Sequence, residues 1–255
     1  MPRITVITVC YNSARTIEAT LASIAAQTFK DIEHIVIDGG STDQTLAVIE
    51  QWSAHEIRLV SEPDKGIYHA MNKGLALATG EVVGFLNADD LYADPSVLGQ
   101  VAGVFNEENV DACFADLVYV DKQDIDAVVR YWKSSSFSKG AFSSGWCPAH
   151  PTFYARRSVF NRFGVFDESY KLAADAELLM RFLECGQISS FYVPRVWVKM
   201  RLGGKTNRNM LNIVKQNLEI LRALEKHGLQ SSVLIFAWKK VVARTIQRWH
   251  RPYAH

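Results

Sequence analysis

Cysteine is scarce. Cys10, Cys113, Cys147 and Cys185 are the only four among 255 residues, and none stands in a Cys-x-x-Cys pair or a Cys/His cluster. That spacing argues against a zinc site and a disulfide framework, and predicts buried free thiols in a reducing cytosol. Charge of one sign is lacking too. Lys and Arg total 28 against 27 Asp and Glu, a formal net charge of +1, so no global basic field selects nucleic acid as a partner. Long apolar runs are absent. The opening Ile4-Thr5-Val6-Ile7-Thr8-Val9 lacks the length and the cleavage site of a signal peptide, and Val233 to Trp238 is far too short to span a bilayer. No Gly-x-Gly-x-x-Gly follows a strand, which excludes a dinucleotide-binding dehydrogenase. No internal repeat and no second core of independent size is visible.

What is present is an alternation of strand-like and helix-like segments. Strands are expected at 4–10, 33–38, 57–60 and 81–86, and helices at 14–27, 43–53 and 66–78, where apolar residues recur at helical spacing. This β-α-β-α-β-α-β rhythm predicts an α/β domain with a mainly parallel mixed sheet flanked by helices. Further on, 110–120 and 125–132 read as strands, 152–155 as a short strand, 173–184 as a helix and 189–200 as β-rich. The Ser- and Gly-rich stretch 133–145 reads as a mobile loop able to close over a ligand. From about 207 the pattern is helical to the end.

Ligands on such sheets sit beyond the carboxyl ends of the strands. Three polar turns fall there: Cys10-Tyr11-Asn12, Asp38-Gly-Gly-Ser-Thr-Asp43 and Asn87-Ala88-Asp89-Asp90. Asp38 ends its strand, and its carboxylate can accept hydrogen bonds from nucleobase N–H groups. Ser41 to Asp43 can equally be a helix cap with a glycine-permitted turn. A carboxylate pair after a buried strand suits a divalent cation that neutralises a leaving pyrophosphate, with phosphates and water completing the shell. An Asp-Asp at a strand end can also be a simple turn.

Taken together, these pieces resemble the family-2 glycosyltransferases, whose fold is the Rossmann-like GT-A single domain. The resemblance is carried in order by Val6-Ile-Thr-Val-Cys-Tyr-Asn12, Gln27-Thr28, Ile35-Val-Ile-Asp-Gly-Gly-Ser-Thr-Asp43, Glu62-Pro-Asp-Lys-Gly-Ile-Tyr68, Ala70-Met-Asn-Lys-Gly74, Phe85-Leu-Asn-Ala-Asp-Asp90, His150-Pro-Thr-Phe153, Gly164-Val-Phe-Asp-Glu168 and Ala174-Asp-Ala-Glu-Leu178. It implies a nucleotide-sugar site in which Tyr11 lies against the base, Asp38 bonds to it and Asn12 shapes the pocket, with Lys65 near the base or diphosphate. Asn87-Ala88-Asp89 takes the place of the family's Asp-x-Asp motif. Asn87 then faces the ribose, a departure from the usual Asp, and Asp89 binds Mn2+ or Mg2+. Asp90 is a secondary metal candidate or a brace of the turn.

The resemblance also places the general base for an inverting transfer at Asp175. Glu177 either touches the acceptor or pairs with Arg181 at i,i+4. His150 either lines the acceptor side or is structural. Arg201, in Arg201-Leu-Gly-Gly-Lys205, is suited to the diphosphate. The expected organisation is a catalytic domain at 1–205, with a nucleotide-binding half to about 110 and an acceptor-binding half from 111. A helical extension follows at 206–255.

Residues 231–251 combine apolar positions with Lys239, Lys240, Arg244, Arg248 and Arg251. This basic amphipathic pattern is suited either to a membrane surface or to packing on the domain. Thr245-Ile-Gln-Arg-Trp249 lacks the leading Gln of the processive synthases' motif, which argues against that class. The expected setting is a cytoplasmic enzyme of bacterial surface polysaccharide assembly. It would take a UDP- or GDP-type donor and a glycan or lipid-linked glycan acceptor. The competing readings are a non-catalytic member of the same fold, supported by Asn87 alone, and a sugar nucleotidyltransferase. The latter needs a Gly-rich loop that Cys10-Tyr-Asn-Ser-Ala-Arg15 does not supply.

Overall fold

The computed structural model describes residues 1–203 and 210–229. Its first half follows the apolar rhythm of the sequence: β1 (Ile4–Cys10), α1 (Ile17–Ala25), β2 (Ile32–Asp38), α2 (Thr45–Glu50), β3 (Arg58–Ser61), α3 (Ile67–Leu77) and β4 (Val82–Phe85). β1 is buried along its whole length, as a central strand covered on both faces must be. Its side chains alternate between those faces. Ile7 and Val9 join Met71 and Leu75 of α3 in one core, while Ile4 and Val6 join a second core on the opposite face.

The second half comprises β5 (Asp90–Tyr92), α4 (Val97–Glu107), β6 (Ala112–Val120), β7 (Val128–Trp132), β8 (Tyr154–Arg156), α5 (Arg157–Phe163), α6 (Ala174–Met180), β9 (Ser190–Arg201) and α7 (Met210–Lys226). The sheet order is β3-β2-β1-β4-β8-β6-β9-β5, with β7 paired to β6. β3, β2, β1 and β4 are mutually parallel, and β6 is parallel to β9. The other four pairings, β4 with β8, β5 with β9, and β6 with β7 and β8, are antiparallel. The sheet is therefore mixed, with its parallel part on the side that carries the polar turns. In β9 the register against β6 jumps from Val193 to Val196. Pro194 falls in that gap, and a proline cannot donate to the ladder.

Three features depart from the sequence reading. α4 and α5 fall where no helix was assigned. The 133–145 stretch is anchored: the buried Glu184 accepts from the backbone N–H groups of Gly140 and Phe142, and Phe137, Phe142 and Trp146 pack on one another. Of the four thiols, Cys10 and Cys113 are buried, Cys147 is half-buried and Cys185 is exposed.

α7 packs on the domain through Ile220, Ala223 and Leu224, which are buried in the same core as α6. The basic pattern at 231–251, with Thr245 to Trp249, lies outside the described residues. No helix among the described residues is long and apolar enough to cross a membrane.

Candidate functional site

The register of the parallel strands brings the polar turns together. Cys10 lies opposite Asp38, and Asp38 opposite Ser61. The segment after β4 continues beside β1, with the Ala88 N–H donating to the Val9 carbonyl at 3.3 Å. Tyr11, Asp38 and Asn87 to Asp90 thus share one end of the sheet.

The loops after β1 and β2 are laced to each other. Asn12 adopts φ +51°, a left-handed conformation that asparagine tolerates better than most residues. Its Oδ1 accepts from Thr42 N at 2.9 Å, and its N–H donates to Ser41 Oγ at 2.8 Å. Asp43 accepts from Ala14 N and Thr45 N, so it braces the turn. Tyr11 is left 62% exposed, a large ring presented to solvent at the strand end.

Asp38 does not present the free acceptor expected of it. It is fully buried and accepts five hydrogen bonds. Gly40 N, Ser41 N and Ser61 Oγ donate to Oδ2, and Ser41 Oγ and Cys10 Sγ donate to Oδ1. Burial raises its pKa, but the donors from Ser41 and Ser61 outweigh it and hold the carboxyl below the usual range. Asp38 therefore organises the turn. Burial, and then Asp38 itself, push the Cys10 thiol well up, which makes Cys10 a poor nucleophile.

The Asn87–Asp90 turn is a desolvated oxygen cluster. Asp89 is half-buried and Asp90 fully buried. Burial raises the pKa of both, and the Asp89 charge raises Asp90 further. Asn87 Nδ2 donates to Asp90 Oδ2 at 3.3 Å, while Asn87 Oδ1 and Asp90 Oδ1 are buried without a donor. Asp90 opens β5, whose pairing with β9 brings the β9 end to this turn. There the Arg201 charge acts on both aspartates, and its Nε is buried without a partner. These residues fit a hard cation: the donors are all oxygens, as Mg2+ and Mn2+ prefer, and Asn87 Oδ1 and Asp90 Oδ1 have no hydrogen-bond donor among the described residues. Asp90, with no exposed surface, braces the turn.

A third group forms around α6. Tyr68, near the start of α3, donates its hydroxyl to Asp175 Oδ1 at 3.1 Å. Burial, then the Asp175 charge, raise the Tyr68 pKa well above the tyrosine range, so it stays a donor. His150 packs against Phe85 and Phe166 with centroids at 5.3 and 5.6 Å, and neither ring nitrogen has a hydrogen-bond partner. Burial lowers its pKa, and the Asp175 charge partly opposes that. The start of α6 is held from α7: Glu219 accepts from the N–H groups of Lys171, Leu172 and Ala173 at 3.0, 2.8 and 2.9 Å.

Glu177 is taken up by neighbouring cationic side chains. It is fully buried and engaged by Arg181 Nη2 at 2.9 Å, His227 Nε2 at 2.9 Å and Lys226 Nζ at 3.2 Å. Burial alone would raise its pKa, but His227 and Arg181 bring it down to about 2. Its place is structural, locking α7 to α6.

The segment before α3 joins the two sides. Pro63 packs on Gly40 and Asp64 on Gly39, and three residues beyond exposed Lys65 comes Tyr68 with its bond to Asp175. Asp64, Tyr68 and Glu219 are absent from the residues singled out by sequence. Only Asp64 and Tyr68 lie in a matched motif.

Comparison with known proteins agrees with this geometry. The model of glycosyl transferase family 2 matches residues 5–168. A PGL/p-HBAD biosynthesis glycosyltransferase of Mycobacterium bovis is 29% identical over 259 residues, covering 98% of each chain. An uncharacterised glycosyltransferase of Mycobacterium tuberculosis is 30% identical over 182 residues, 71% of this chain and 68% of that one. Among solved structures, S. aureus TarS 1–349 in complex with UDP-GlcNAc superposes with a TM-score of 0.69 at 20% identity, over 94% of this chain and 70% of that one. A mannosyltransferase of Pyrobaculum calidifontis in complex with GDP-Man and Mn2+ gives 0.68 at 20% identity, over 95% and 71%. The fold is GT-A, and the chain belongs to glycosyl transferase family 2.

Proposed function

We propose that this protein transfers a sugar from a nucleotide-sugar donor to a hydroxyl of a glycan or lipid-linked glycan, with inversion at the anomeric carbon. The observation that carries this reading is the Tyr68–Asp175 hydrogen bond. It ties the candidate base to the same end of the sheet as the donor-side turns. The donor base lies against Tyr11, and the ribose meets the Asn87 amide, which can donate and accept. Asp89 holds Mn2+ or Mg2+, with Arg201 beside the diphosphate. A metal there supplies positive charge to the departing phosphate oxygens.

Asp175 takes the proton of the acceptor hydroxyl. The oxygen forms its bond to the anomeric carbon as the carbon–phosphate oxygen bond breaks on the opposite face. Tyr68 orients Asp175, and His150 lines the acceptor side. In this reading residues 1–110 bind the donor and 111–205 the acceptor. The relative named for PGL/p-HBAD biosynthesis supports a biosynthetic setting, which this reading assigns to a surface glycan or glycolipid made at the cytoplasmic face of a bacterial membrane. The basic pattern at 231–251 would supply the membrane contact.

The test is Asp175→Asn, which keeps the shape and the Tyr68 partner but removes the base. Nucleotide-sugar binding by calorimetry should stay within about twofold, while release of nucleoside diphosphate should fall by about 100-fold or more. Release at the wild-type rate would place the base elsewhere.

A further inference from the structure

A surface helix turns an apolar side to the core and a polar side to water. α7 does the first and not the second. Ile220, Ala223 and Leu224 are buried on one side. On the opposite side Leu211, Val214 and Leu218, spaced by three and four residues, stand 66%, 53% and 59% exposed. Lys215 and Arg222, both exposed, each follow a leucine of this row by one turn, and the Arg222 guanidinium is held 5.0 Å from the centre of the Tyr170 ring. Exposed Lys171 adjoins α7, since its backbone N–H donates to Glu219 at 3.0 Å. The exposed acid Glu225 stands two turns beyond Leu218.

We propose that this outer row of α7 docks on an anionic lipid surface, with Leu211, Val214 and Leu218 entering the acyl boundary and Lys171, Lys215 and Arg222 meeting the headgroups. The charge is complementary, because long cationic side chains lay their stems along apolar surface and carry their charge to headgroup level. A bilayer asks for apolar depth and a basic rim, not for a matching shape. A second copy of the chain would need roughly 800 Å2 from each partner, more than one row of three side chains offers. The surface also lies close to the chemistry. α7 is a single helix, about 10 Å across, and its Glu219 holds the residues that lead into α6 and Asp175. Docked through α7, the protein presents the Asp175 side to hydroxyls carried on lipid. That last step rests on the transferase reading above, whereas the docking does not.

The test is sedimentation of the full chain with vesicles of phosphatidylcholine, alone or mixed with phosphatidylglycerol, without nucleotide or acceptor. One variant is Leu211→Gln with Val214→Gln and Leu218→Gln, since glutamine matches the helix propensity of leucine closely. The other is Lys215→Gln with Arg222→Gln. Residues 231–251 are unchanged in both. The wild type should bind the anionic vesicles about tenfold or more tighter than the neutral ones. The triple variant should bind the anionic vesicles about tenfold or more weaker than the wild type, and the double variant should lose most of the preference for them. Without lipid, the triple variant should melt within about 2 °C of the wild type, because exposed side chains add little to stability. Wild-type affinity in the triple variant, or no binding of the wild type to anionic vesicles, would overturn the docking. So would a triple variant that melts about 5 °C or more lower, or a wild-type dimer that the variant dissociates, since another part of the chain or a second copy would then cover the row. Each of these results leaves the transferase reading standing.

Discussion

His34 sits in a relay whose proton positions are fixed by its ends. Trp52 Nε1–H donates to His55 Nδ1 at 3.0 Å, which leaves the His55 proton on Nε2, directed at His34 Nδ1 at 2.8 Å. His34 Nε2–H then donates to Thr8 Oγ1 at 3.0 Å. Neither ring has a site for a second proton. Burial, then the neighbouring His55, lower the His34 pKa to about 3, and burial lowers His55 as well. The unfolded chain takes up its protons near pH 6.5 while the folded chain refuses them. The contribution of His34 is therefore full above about pH 6.5 and is lost as pH falls toward 3. Between pH 6.5 and 5 the loss is about 2 kcal/mol. Denaturant unfolding of the wild type and of His34→Gln should show the stability difference shrinking by that amount. A difference independent of pH would contradict the relay. Asp89 and Asp90, with raised pKa values, act with the opposite sign and cancel in this comparison.

At the level of elements, the central parallel strands were readable and several elements of the second half were not. β1, β2 and β4 stand within a residue of their expected bounds because burial on both faces favours runs rich in Val and Ile, as in these strands. α4 carried a helical stripe, with Val97, Val101 and Phe105 buried, but Gly99 and Gly103 lower helix propensity and obscured it. β5 is three residues long and reads as part of the Asp-Asp turn. The 133–145 stretch looked mobile because Ser and Gly outnumber the two phenylalanines that pin it. The site divides in the same way. Asp89 and Asp175 were singled out through motifs, whereas Glu219 acts across 46 to 48 residues of sequence on Lys171, Leu172 and Ala173, a relation that no local pattern encodes. Glu219→Ala leaves three N–H groups without their acceptor and should cost roughly 2 kcal/mol. Glu219→Gln, which keeps an acceptor, should cost less. Equal melting temperatures for the wild type and Glu219→Ala would show that water replaces the carboxylate fully.

Across the whole molecule, the parallel strands set the donor side and α6, held by α7, sets the side of the base. The segment from Pro63 to Tyr68 joins the two. The central claim is that the donor end of this sheet binds a nucleoside diphosphate through a metal on Asp89. A ligand that binds only the folded state raises its melting temperature, so the direct measurement is thermal unfolding with UDP, dTDP, GDP or CDP, with Mn2+ and with chelator, for the wild type and Asp89→Ala. The account predicts a rise with a nucleotide only when Mn2+ is present, and no rise for Asp89→Ala. An equal rise in chelator, or a Mn2+-dependent rise that survives in Asp89→Ala, would contradict it.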